Sequence, residues 1–358
     1  MKKLFFALSL VVLHFLSAQA QQTNNVILIT FDGLRWQELF SGAERRLITK
    51  EFVSDSARIV QTFWNDDPLK RREMLFPFFW STIAKEGQIY GNRAHGNLVN
   101  VTNKQWFSYP GYNEILCGFA DDARINSNDK INNPNTNVLE FIHQQPGYKG
   151  KVAAFTSWDV FPYIINSQRS GVPVNAGIVK KENPNEREKL INELMYLVPN
   201  PLGDIRLDAF TFHYAFEYLK ANKPRVLYIG FDETDDFAHG GKYDLYLHSA
   251  RNTDRMIEQL WNWCQQDPQY KGKTTFIFTT DHGRGQVNPS DWRHHGIKVP
   301  HADEIWMAFL GPDTPALGEV KTKGQLYQSQ LAQTLAAFLK LNYKSNQPVG
   351  DIVKSAKK

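Results

Sequence analysis

The stretch "FIFTTDHGRG", residues 276–285, is an apolar, β-branched run that stops at an aspartate and a histidine and turns at once on glycine. Residues 274–280 read as a strand buried on both faces, because the run is continuous rather than alternating. Four other stretches share that character: "NVILITF" (25–31), "KVAAFTS" (151–157), "RVLYIGF" (225–231) and "EIWMAFLG" (304–311). Helical periodicity fills residues 208–222, 243–266 and 324–341 between and after them. Strands alternating with helices predict an α/β fold, a largely parallel central sheet with helices on both faces. Residues 162–207, with their "NPNERE" and "PNPLGD" turns, fit the alternation poorly and are expected to form an inserted cap in an otherwise single domain spanning 21–358.

In such a sheet ligands bind beyond the carboxyl ends of the strands. Three of these strands end in carboxylates: Asp32 after the first, Asp232, Glu233, Asp235 and Asp236 after the 225–231 run, and Asp281 after the 274–280 run. One such aspartate is most often a helix cap. Three meeting on one edge would repel each other unless cations lay between them. Histidines add to the set. Asp235 and His239 are four apart, which on a helical turn places both on one face, and His282 and the pair His294–His295 lie in glycine-flanked loops. His95, His143, His213, His248 and His301 lack that setting and read as structural. Mixed imidazole and carboxylate ligands suit zinc, with manganese as the alternative, whereas an all-oxygen set would suit calcium or magnesium. Asp281 and His282 therefore read as neighbouring ligands of a two-metal site. In "WFSYPGYNEILCG" (106–118), Ser108 stands at the start of an apolar helical stretch, where backbone amides favour an anion; it is either a nucleophile or the cap of that helix.

Residues 1–20, "MKKLFFALSLVVLHFLSAQA", read as a secretory signal peptide: two lysines, an apolar stretch too short to span a bilayer, and a small-x-small end. The expected location is periplasmic or secreted, with no membrane anchor after cleavage. The formal charge of +4 leaves no footprint for nucleic acid. Cys117 and Cys264 sit in apolar, helix-like contexts and are expected to be two buried thiols rather than a disulfide.

Together these motifs resemble the alkaline phosphatase superfamily and, within it, the type I phosphodiesterase and nucleotide pyrophosphatase branch. The resemblance runs in order through "FDG" at Asp32, the hydroxyl and Pro step at Ser108, Asp235-x-x-x-His239, Asp281-His282-Gly283 and His295-Gly296. It implies an alkaline-phosphatase-like fold and two metal ions. One would be held by Asp235, His239 and His295, the other by Asp32, Asp281, His282 and the Ser108 hydroxyl. It also implies a phosphate ester substrate, a phosphoserine intermediate and a phosphate-binding asparagine, for which Asn126 is the choice. Serine replaces the branch's usual threonine, and Gly111 and Tyr112 stand where its Pro-Asn-His step would run. Tyr112 also occupies the place where a formylglycine sulfatase needs arginine.

Trp158 and Phe161, in the "TSWDVFP" loop, are expected to stack on an organic substituent of the substrate. No arginine lies near Ser108 in sequence, which favours a phosphodiester over a monoester, although Arg35 or Arg284 could fold over the site. The alternatives are a phosphomonoesterase or phosphomutase of the same superfamily and, from another class, a secreted aromatic-rich binding module holding one structural cation.

Overall fold

A computed structural model of the protein describes residues 22–358; the expected leader lies outside the described residues. Ten strands form: β1 (Asn25–Phe31), β2 (Gln88–Tyr90), β3 (Asn97–Asn100), β4 (Val152–Thr156), β5 (Val174–Ala176), β6 (Val226–Phe231), β7 (Thr274–Thr280), β8 (Met307–Leu310), β9 (Gly318–Glu319) and β10 (Gly324–Tyr327). Eight of them make one sheet in the order β5-β4-β6-β1-β7-β8-β2-β9, and β10 pairs with β3 in a second, two-stranded sheet. In the large sheet only β8 runs against the rest. Each of the five expected strands is present, and the architecture is the expected mixed α/β one.

Period-two geometry sorts the side chains of the central strands into two layers. Ile27, Ile29 and Phe31 of β1, Leu227, Ile229 and Phe231 of β6, and Phe276 and Phe278 of β7 join one apolar layer, covered by Asp208–Asn222 and Tyr243–Cys264. Val26, Leu28, Val226, Tyr228 and Ile277 face the other, covered by Ser108–Cys117, Val138–His143 and Leu331–Phe338. Cys264 lies in the first layer and Cys117 in the second, both as buried free thiols.

One sequence expectation changes. Residues 324–341 are not one helix, because 324–327 form β10 in register with Asn97–Asn100 and the helix begins at Leu331; pairing to a partner strand overrides local helical periodicity. Within 162–207, Val174–Ala176 is β5, the outer strand of the main sheet, and the helix Glu186–Leu197 packs beside Asp208–Asn222. No described helix is long and apolar enough to cross a membrane.

Candidate active site

Register builds the acidic edge. Phe31 pairs with Phe231 on one side and Thr280 on the other, so the next residues along the chain, Asp232, Asp32 and Asp281, emerge abreast. Asp32 is 1% exposed, and Asp281 and His282 are 0% exposed. Each is held by one atom and leaves another without a partner. The Tyr112 hydroxyl donates to Asp32 Oδ2 at 2.9 Å, and the Gly33 amide donates to Asp281 Oδ1 at 3.0 Å. His282 Nδ1 lies 2.9 Å from the Gly283 carbonyl, which in the neutral ring assigns the proton to Nδ1 and the lone pair to Nε2. Asp32 Oδ1, Asp281 Oδ2 and His282 Nε2 are buried without a hydrogen-bond partner, with Nε2 3.3 Å from Asp32 Oδ1 and 3.5 Å from Asp281 Oδ2. Buried polar atoms left unsatisfied are costly, and two carboxylate oxygens with an imidazole nitrogen form the donor set of a zinc-class ion. These residues fit a metal.

A second set adjoins the first. Asp235 and His239, on the helix Glu233–His239, share a face as their spacing predicts, with His239 Nε2 3.1 Å from Asp235 Oδ2. His295 Nε2 lies 3.0 Å from His239 Nε2 and 3.6 Å from Asp235 Oδ1. The two ring nitrogens meet within hydrogen-bonding distance, and His295 Nδ1 is turned to the Trp106 carbonyl at 3.2 Å, so both Nε2 atoms converge beside Asp235. The His295 ring also stacks on His282 at 3.9 Å. His295, not the exposed His294, is therefore the member of the tandem pair that enters the site. Ligand atoms of Asp32, Asp281 and His282 lie within 4.8 Å of one another, as do those of Asp235, His282 and His295.

Crowding sets the charge states. Burial draws the His282 imidazolium down, but the Asp281 and Asp32 carboxylates outweigh it and hold its pKa at about 9. Burial and the neighbouring Asp32 carboxylate push Asp281 up to about 8. His295 goes the other way: burial, then His282, Arg284 and His239, hold it well below the usual histidine value. Asp232, abreast of Asp32, is pushed well above the carboxylate range by burial and by the Asp32 and Asp236 carboxylates. Asp232 therefore stands beside the ligand candidates as a carboxyl that burial and its acidic neighbours drive toward the protonated form.

Ser108 arrives from the opposite layer. Glu114, one helical turn and a half later, accepts from the amides of Thr102 and Asn103 at 2.8 Å each, which ties down the approach loop. The Asn103 side chain accepts from the Trp106 amide at 2.9 Å, and Trp106 adopts φ +54°, a left-handed conformation costly for a bulky residue. Ser108 then occupies the first helical position and is 6% exposed. The N-cap is Phe107, which offers no side-chain bond. The helix is fastened to the acidic edge by Tyr112 on Asp32 and by Gly111, where a Cβ would come within 2.4 Å of the Asp281 carbonyl oxygen.

The remaining candidates separate. Asn126 is exposed, whereas Asn128 Oδ1 accepts from the Tyr109 amide at 3.0 Å, at the N-terminus of the Ser108 helix. Phe161 is 1% exposed and packed 4.6 Å from the Tyr112 ring, so it supports the wall instead of stacking on a ligand. Trp158 is half-buried, 6.5 Å from Tyr112. Arg35 does not fold over the site: it is buried against Glu38 and, at 2.6 Å, Glu44. Arg284 binds Asp235. Sequence reading missed Asp208, whose carboxylate accepts from the Asp232 and Glu233 amides at 2.9 and 3.2 Å and so fixes the start of the Asp235 helix. It also missed Tyr112 as a partner of Asp32, although its place four residues after Ser108 put it on the same helix face.

Comparison with known proteins bears on the family and the fold. No curated protein matches the sequence. Solved structures share the fold at low identity. Alkaline phosphatase PafA matches with a TM-score of 0.63 at 10% identity, over 94% of this chain and 99% of its own. A putative sulfatase from Bacteroides thetaiotaomicron matches with a TM-score of 0.60 at 11% identity, over 93% and 74%. Murine ectonucleotide pyrophosphatase/phosphodiesterase 5 matches with a TM-score of 0.57 at 14% identity, over 93% and 100%. The family model described as type I phosphodiesterase / nucleotide pyrophosphatase matches residues 45–346, which takes in every candidate ligand except Asp32. The chain thus belongs to the type I phosphodiesterase / nucleotide pyrophosphatase family and is a phosphoester-hydrolysing enzyme.

Proposed function

We propose that the protein is a secreted or periplasmic two-metal phosphodiesterase, most active with zinc, that works through Ser108. The observation carrying this reading is the meeting of three orphaned, buried donor atoms, Asp32 Oδ1, Asp281 Oδ2 and His282 Nε2, beside a second set made by Asp235, His239 and His295. Divalent ions bound there would lower the pKa of the serine hydroxyl and neutralise charge on the leaving oxygen. Ser108 attacks phosphorus, the P–O bond to the leaving alcohol breaks, and water then cleaves the phosphoseryl ester to regenerate the hydroxyl. The Asn128 side chain, whose Oδ1 accepts from the Tyr109 amide at the start of the Ser108 helix, would use its Nδ2 group to contact a phosphoryl oxygen.

The diester preference follows from which cations are engaged elsewhere. A monoester dianion carries an extra charged oxygen, and sites specialised for it add an arginine or a third metal. Arg35 is tied to Glu38 and Glu44, and Arg284 to Asp235. Lys104 is exposed in the approach loop. Trp158 supplies an apolar flank for the second substituent of a diester. The deciding measurement is kcat/KM for matched p-nitrophenyl mono- and diesters. A diester preference is expected; a monoester preference above about a hundredfold, roughly 2.7 kcal/mol, overturns the substrate assignment and leaves the serine mechanism standing. Ser108→Ala should lose at least about a thousandfold in kcat while keeping both metals, and turnover within about tenfold of wild type would reassign Ser108 to a structural role.

A further inference from the structure

Arg284 reaches each segment that carries an aspartate or histidine of the two candidate ligand sets. It follows Asp281 and His282 in the chain and is 1% exposed. Its Nε donates to the Gly33 carbonyl at 3.0 Å, next to Asp32, and its Nη1 to the Arg293 carbonyl at 3.1 Å, two residues before His295. Its Nη2 donates to the Asp235 carbonyl at 3.2 Å and also to Asp235 Oδ1. The fit with Gly33 is reciprocal. A Cβ at Gly33 would lie 2.7 and 2.9 Å from the guanidinium nitrogens, and φ there is +57°, so glycine leaves the room that the arginine fills.

We infer that Arg284 is the positioning residue that holds the two ligand sets in register: it clamps the Asp235 helix against the Asp32–Gly33 turn and the Arg293–His295 loop. This rests on the two-metal reading above. The bond of Arg284 to Asp235 fixes that carboxylate, whose Oδ1 lies 3.6 Å from His295 Nε2 and whose Oδ2 lies 3.1 Å from His239 Nε2. Only a planar fork with several fixed donors meets three carbonyls and a carboxylate at once. Lysine, with a single nitrogen, can satisfy one corner of that arrangement. The positive charge alone is therefore insufficient.

The test is metal content and zinc affinity of Arg284→Lys and Arg284→Met beside wild type, by elemental analysis after dialysis against limiting zinc and by titration against a competing chelator. Wild type should hold two ions per chain. Arg284→Lys should keep its fold by circular dichroism and one tight ion, while the second binds about 10–100-fold more weakly, the range seen when partners of metal ligands are removed; excess zinc should restore its turnover. Arg284→Met should retain one ion. Two ions bound at wild-type affinity in Arg284→Lys overturns the inference whatever happens to activity, and that variant alone decides the matter if Arg284→Met does not fold. Wild type with no transition metal would instead bring down the two-metal reading, and this inference with it.

Discussion

The two candidate ligand sets differ in how they are built. The inner set stands on adjacent parallel strands, with Asp32 and Asp281 in neighbouring register and side chains 2% exposed or less. The outer set stands on one short helix and a loop, with side-chain exposures of 14% for Asp235, 42% for His239 and 11% for His295. A sheet fixes ligand positions through a ladder of main-chain bonds on both sides, so the inner set exists whether or not a cation is present. The outer set depends on side-chain and terminal contacts: Asp208 on the helix start, Arg284 on Asp235, and Trp106 on His295. One site is preformed by topology, the other by a few replaceable bonds.

The largest test of that contrast is Asp281→Ala. It removes an inner ligand and the acceptor of the Gly33 amide, so activity should fall by at least about a thousandfold, about 4 kcal/mol in barrier. Melting of the zinc-loaded protein should drop as well, because bound metal stabilises the folded state. With chelator present the melting difference from wild type should shrink to the part owed to the lost Gly33 amide acceptor; a difference as large as that with zinc would assign Asp281 a metal-independent structural role. His239→Ala should cost less. The exposed imidazole can be replaced by water, so outer-site affinity should weaken about 10–100-fold, with turnover recovered at high zinc. An irreversible loss equal to that of Asp281→Ala would erase the distinction between the sets.

A third test is pH dependence, and it separates the sets by sign of shift. In the metal-free chain His282, with its pKa near 9, and Asp281, near 8, still bind protons at pH 7, and those protons must leave when a cation enters. Inner-site affinity should therefore rise through pH 7–9, by about tenfold per unit for each proton displaced. His239 and His295 are held below the usual histidine value, chiefly by burial. They are already neutral there, and outer-site affinity should stay flat. Zinc titrations at pH 7, 8 and 9 check this, and parallel slopes for the two sites would refute it.

The same contrast explains what could be read from sequence. Long apolar runs ending in Asp are visible because both signals lie within a few residues, which is why β1, β6 and β7 and the inner ligands were legible. β2, β5 and β9 are two or three residues each, too short for periodicity to register. The contact of Asn128 with the Tyr109 amide was missed for a different reason. In "RINSNDK" nothing local separates Asn126 from Asn128, and only the fold brings one of them to the Tyr109 amide. Arg284 was noticed as a charge that could face the substrate, but its three carbonyl partners are 251, 49 and 9 residues away in the chain, beyond any local pattern. Phe161 looked like a stacking surface because aromatic residues in loops carry no mark of burial.

The two thiols give each apolar layer its own clock. Cys264 lies under the Tyr243–Cys264 helix on one side of the sheet, and Cys117 ends the Ser108 helix on the other. Burial raises both thiols far out of the reactive range, so a thiol reagent can modify either one only after its layer opens. Labelling followed by peptide mapping would thus time the opening of the nucleophile's layer and of the opposite layer in the same sample, with no engineered probe. Fastening at Gly111 and Tyr112 links the Cys117 layer to the inner ligands, so zinc should slow the labelling of Cys117 more than that of Cys264.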